Sequence, residues 1–141
     1  MKTPFDGAIR LGQREIDDMR VAINVQIAQV VKIEAARADN EREARRQREV
    51  AGDDAMLSSY AYLARMRAER ARLNESQATA EGQLSRLRSE ALAAYGTLKA
   101  VGSAADAWRG DAERAIEQTE QGHLDDLTNA GFVRGRRKGR A

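Results

Sequence analysis

Counted in sevens, the stretch from Leu63 to Gly122 is one unbroken ladder. The a positions are Leu63, Arg70, Gln77, Leu84, Ala91, Leu98, Ala105, Ala112 and Thr119. The d positions are Met66, Leu73, Ala80, Leu87, Ala94, Val101, Trp108, Ala115 and Gly122. Most are apolar or small, and the residues between them are mostly charged or polar. A 3.5-residue period keeps one seam of a helix facing a partner helix, which makes this stretch a coiled-coil strand. No proline interrupts it. At about 1.5 Å per residue, the stretch is roughly 90 Å long as a helix. Such a helix cannot bury its own seam, so the rest of the chain is read as what covers it.

The covering segment lies upstream. Ile9, Ile16, Met19, Ile23, Ile27, Val30 and Ile33 recur at spacings of three, four and seven, which keeps one apolar stripe on a helix. Pro4, the only proline, suits a first helical turn, with Thr3 as N-cap. Gly7 and Gly12 each weaken that end by about 1 kcal/mol relative to Ala, so it is expected to fray. Past Ile33 charged residues dominate, and only Ala44 and Val50 carry the stripe. Glu41 and Arg45 are spaced as an i,i+4 ion pair. This charged run reads as a solvated helix end, or else as a polar docking face near the tip of the hairpin.

Ala51-Gly52-Asp53-Asp54 is the one clear break, a C-cap glycine followed by N-cap candidates, with Ser58 and Ser59 offering a second N-cap. A short connection makes the flanking helices antiparallel neighbours. The expected fold is all-α: a long antiparallel two-helix coiled-coil hairpin with unequal arms. It forms a single domain over 1–130, with a helix over 4–50, a turn over 51–59 and a helix over 60–129. Pairing about the turn sets Ile16 near Leu92 and Ile9 near Leu98, and the second helix overhangs beyond Val101. Large Ile and Val on the first arm then face Ala91, Ala94 and Ala105, which lets the helices approach closely. Trp108 falls on the overhang. Gly131 is a plausible helix stop, and residues 131–141 read as a basic disordered tail.

Composition agrees. Of 141 residues, 33% are charged and 4% aromatic, the balance of long helices rather than of a deep core. There is no cysteine, hence no disulfide framework or thiolate metal site, in keeping with a cytoplasmic address. No run of 18 apolar residues could span a membrane, and the first residues lack a signal-peptide block. The net charge of +2 hides an asymmetry, since Arg134, Arg136, Arg137, Lys138 and Arg140 crowd the last eight residues. Setting these five aside leaves 19 basic residues against 22 acidic.

No catalytic constellation is legible. His123 is alone, and a lone helical His is usually structural or solvated. Asp17-Asp18 and Asp125-Asp126 are adjacent pairs, which diverge on a helix. The chain reads as a non-enzyme without a cofactor or metal. Two features point to partners instead. Tyr60, Tyr62, Leu63 and Met66 cluster just after the break, where they either cap the hairpin core or form a binding patch, since Tyr is enriched at interfaces. The basic tail reads as a solvated terminus or a contact for an acidic protein partner; it could also bind an anionic polymer or surface, but no aromatic interleaves it for base stacking.

Three blocks resemble the FliJ family, the soluble stalk proteins of bacterial flagellar type III export. Leu57-Ser-Ser-Tyr60-Ala-Tyr62-Leu63-Ala-Arg-Met66 is similar to the aromatic-rich entry of that family's second helix. Ala94-Tyr95-Gly-Thr-Leu98-Lys99-Ala100 follows. His123-Leu124-Asp125-Asp126-Leu127 is similar to a C-terminal stretch of a basic or His residue, an apolar residue, two acids and an apolar residue. The run from Ile9-Arg10-Leu11 to Arg14-Glu15-Ile16 is compatible, while the Gly-spotted overhang departs from the family's charged helix. The resemblance implies a stalk that enters the export ATPase ring, with the ATPase regulator nearby, and that also touches the cytoplasmic domain of the export gate and export chaperones. Ring contacts would fall on Arg10, Arg14, Trp108 and Arg109, and gate contacts on Tyr60, Tyr62, Leu63 and Met66. The implied location is cytoplasmic, at the inner face of the inner membrane, with membrane association only through partners and no nucleic acid bound. The competing readings are a generic coiled-coil scaffold or nucleic-acid-associated protein using the basic tail, and a homodimer whose ladders pair between chains.

Overall fold

The computed structural model describes residues 1–50 and 56–139. Two helices account for nearly all of them: α1, Asp6–Val50 (45 residues), and α2, Met56–Gly139 (84 residues). The described residues include no strand, no cis peptide bond and no positive φ. The two helices pack against each other within two compact units. One comprises Met1–Gly12 and Thr97–Ala141, the other Gln13–Gly96.

In the Gln13–Gly96 unit the core is a narrow strip. Val30 and Ile33 of α1 cluster with Ala80 and Leu84 of α2, and Ile23 and Ile27 pack on them half-buried. Branched side chains meeting an alanine bring the backbones close. Leu73 and Ala44 are also buried. Polar rungs cross between the helices. The Gln26 side-chain amide donates to the Ala80 carbonyl (3.0 Å) and to Gln83 Oε1 (3.1 Å). Arg37 donates to Gln77 Oε1 (2.5 Å), and Arg70 pairs with Glu41 at 3.4 Å. As the α1 partner advances from Gln26 to Arg37 to Glu41, the α2 partner recedes from Ala80 to Gln77 to Arg70.

Those rungs correct two expectations. Val50 is exposed and does not carry the seam. Instead Asn40, Glu43 and Gln47 are half-buried beside Ala44, so the charged end of α1 has a polar inner face. Glu41 also reaches across to Arg70 rather than pairing with Arg45, because a partner on the facing helix lies within reach of its seam edge.

In the other unit, Ala105 is 0% exposed. Gly12 lies against Leu98, and a Cβ there would stand 3.0 Å from Leu98 Cδ1. Ile9, the expected neighbour of Leu98, is half-buried one helical turn from Gly12. Gly12 answers a close approach, which offsets its poor helix propensity. The N-terminus is capped, with Thr3 in the expected N-cap position. Thr3 Oγ1 accepts from the Phe5 N–H (3.3 Å), and the Thr3 N–H donates to Asp6 (3.1 Å). Thr3 thus acts as an N-cap, with the Asp6 carboxylate reaching back to its N–H as the acidic residue of a capping box does.

Two further boundaries differ from expectation. The turn was expected over 51–59. Residues 51–55 lie outside the described residues, and Met56 onward is already helix. The stretch expected as a disordered tail from 131 is helical to Gly139. A single glycine costs a helix about 1 kcal/mol and does not force a stop. No proline follows, and the Arg136 guanidinium stacks over the Phe132 ring one turn back (5.0 Å). The overhang also begins later than Val101: Ala112 is the last described side chain that is not exposed, and every described one from Glu113 to Gly139 is exposed.

Candidate partner-binding surfaces

The tyrosine cluster after the break divides between two faces of α2. Tyr62, Leu63 and Met66 are half-buried against α1, whereas Tyr60 is 68% exposed. The reason is helical spacing. Positions 62, 63 and 66 share the seam, and 60 lies off it. The Tyr62 hydroxyl donates to Glu43 Oε1 (3.1 Å), and Arg65 stands over its ring at 5.9 Å. Burial against α1 raises the Tyr62 pKa, and the Glu43 carboxylate adds to this. Glu43 is held below the ordinary carboxylate range, first by hydrogen bonds from Arg46 and Gln47 and then by Tyr62. Asn40 Nδ2 donates to Met66 Sδ (3.3 Å). Leu63 and Met66 line a cleft of about 110 Å³ with Asn40, Ala44, Arg45 and Arg48. These contacts tie the two helices together, so of the four expected gate residues only Tyr60 is freely presented.

The four residues assigned to ring contacts also divide. Arg10 and Arg14 are exposed on α1. Trp108 is 38% exposed, a large apolar ring partly open to solvent. Arg109 is engaged within its own unit. It bonds Asp106 (3.1 Å), approaches Asp6 (3.8 Å) and donates from Nε to the Met1 carbonyl (3.3 Å). The Asp6 carboxyl is held below its ordinary value, first by the Thr3 hydroxyl, then by the Thr3 N–H, with Arg109 and Arg10 contributing more weakly. Arg109 thus clamps the chain's first residues to α2. Sequence reading missed this because Asp6 and Arg109 are far apart in the chain.

No family model, curated relative or solved structure matches the chain.

No group of three or more His, Cys, Asp or Glu side chains among the described residues is placed to hold a metal. No described helix is long and apolar enough to cross a membrane. His123 is exposed on the overhang. The expected contact residues that stay open are Tyr60 and Arg14 on one unit and Trp108 and Arg10 on the other, and the end of α2 is also uncovered. The apolar residues Ile116, Leu124, Leu127, Phe132 and Val133 are all exposed on that end.

Proposed function

We propose that this chain is a soluble, non-enzymatic stalk of the bacterial flagellar type III export apparatus. It forms an antiparallel two-helix coiled-coil hairpin with unequal arms, which binds the export ATPase ring and its regulator, the cytoplasmic domain of the export gate, and export chaperones. It works in the cytoplasm at the inner face of the inner membrane, which it meets only through partners, and it binds no nucleic acid. One observation carries this reading. α2 continues beyond Ala112 with every described side chain exposed, Ile116 and Leu127 among them. A helix with an open apolar seam beside a paired stretch is suited to entering a partner. The paired stretch buries little area for its length, and partner binding would stabilise it by mass action.

Tyr60 is the gate-facing group; Trp108 and Arg10 are ring-facing groups of one unit, and Arg14 is a ring-facing group of the other. Tyr60→Ala should leave helicity unchanged by circular dichroism while weakening capture of the gate domain at least tenfold. Unchanged capture removes the gate assignment. Deleting the gene should abolish swimming and filament export, and intact motility overturns the flagellar reading as a whole.

The helical, exposed Arg134, Arg136 and Arg137 favour a second reading, a nucleic-acid-associated scaffold. Micromolar DNA binding at physiological salt, lost on deleting 134–141, would select it. A salt slope near zero would exclude it.

A further inference from the structure

The exposed end of α2 carries opposite charges at its two ends. From Glu113 to Asp126 five carboxylates stand against Arg114 alone. From Leu127 onward there is no acid, and Arg134, Arg136 and Arg137 are exposed on the helix. Between the two lies the apolar middle, with Leu124 and Leu127 both exposed, the latter 70%. The ladder drifts here, and from Ala112 a three–four spacing runs through Ile116, Thr119, His123, Leu127 and Ala130.

The helix is continuous from Met56 to Gly139. Its basic end therefore cannot fold back on its own acidic run, which lies about 30 Å away at 1.5 Å per residue. The polarity is self-complementary only towards a second helix running the other way. We infer that the segment from Glu113 onward is a homodimerisation surface, pairing antiparallel with the same segment of a second copy about a two-fold axis near Leu127.

In that register Leu127 meets Leu127 of the other copy, and Leu124 falls opposite Ala130. Glu120 falls opposite Arg134, and Glu117 opposite Arg137. An isologous interface needs this kind of self-match, in which residue i meets j and j meets i. A parallel arrangement would set carboxylates against carboxylates and is disfavoured. This dimer leaves the covered seam upstream of Ala112 in place. It differs from a dimer formed by exchanging ladders between chains, and it does not depend on the export reading.

Sedimentation equilibrium of the full chain tests it. The expected result is a monomer–dimer equilibrium at 50 mM NaCl whose dissociation constant rises at least tenfold in 1 M NaCl, since exposed charge pairs are screened. Glu117→Arg with Glu120→Arg should weaken the dimer at least tenfold. Adding Arg134→Glu and Arg137→Glu to that variant should restore it. The chain has no cysteine, so orientation is read by oxidation. Leu127→Cys should cross-link to itself. Glu117→Cys should cross-link to Arg137→Cys on a second chain and not to itself. A monomer at 100 µM in low salt overturns the inference. So does a dimer indifferent to charge reversal, or self-cross-linking at Glu117→Cys.

Discussion

At the scale of single residues, the chain's N-terminus is held by a few polar contacts. The Thr3 N–H and hydroxyl both donate to the Asp6 carboxylate, and Arg109 draws Asp6 and the Met1 carbonyl to α2. Thr3→Ala should cost about 1 kcal/mol of local stability, the usual worth of an N-cap, read as faster amide exchange at Phe5 and Asp6. The Asp6 carboxyl has a folded pKa below its ordinary 3.8. Its contribution is therefore complete above that value and is lost as pH falls through the lower folded one. Amide protection at Thr3 and from Phe5 to Ile9 should collapse in that acid window, and Asp6→Asn should remove the transition. Ala105, with no exposed surface, has no room for a larger group. Ala105→Leu should destabilise by about 1–3 kcal/mol through overpacking, seen as a lowered thermal midpoint. Gly12→Leu should act similarly against Leu98.

At the scale of elements, the sequence ladder and the helix agree closely. Leu73, Ala80, Leu84 and Ala105 sit on the a and d positions and are buried, and Leu87, Ala91, Ala94, Leu98, Val101 and Ala112 are half-buried on the same seam. A heptad is legible because the same stripe repeats over many turns, so local noise averages out. The polar rungs were not legible. Gln26, Arg37 and Asn40 occupy seam positions but look like surface residues when read alone, and only a facing helix supplies their partners. The far end of α2 was hidden for the opposite reason. Gly131, Gly135 and the run of arginines resemble a tail, yet nothing in them removes a backbone donor. Tyr60 and Tyr62, read together as a cluster, separate because two positions on a helix differ by about 200° in direction. The exposed end of α2 has a direct test. Deleting 113–141 should leave the unfolding of the Gln13–Gly96 unit unchanged within about 0.5 kcal/mol, since distant sites act independently. Circular dichroism should lose only the signal of the removed helix.

At the scale of the whole molecule, the core found among the described residues of the Gln13–Gly96 unit is a thin strip of side chains. Leu84→Ala, within the Val30–Ile33–Ala80 cluster, should cost about 2 kcal/mol or more, a large fraction of what so small a core supplies. Its denaturant midpoint should fall accordingly. The apolar strip alone repeats every seven residues, so sliding one helix past the other by a heptad would rematch much of it. The Gln26 amide forbids this. Displaced by two turns, it leaves the Ala80 carbonyl and Gln83 behind, and Arg37 leaves Gln77. The helices of that unit therefore engage like a ratchet with one seated notch. Pulled along their length, they should hold until the rungs shear together, then slip in one step rather than creep.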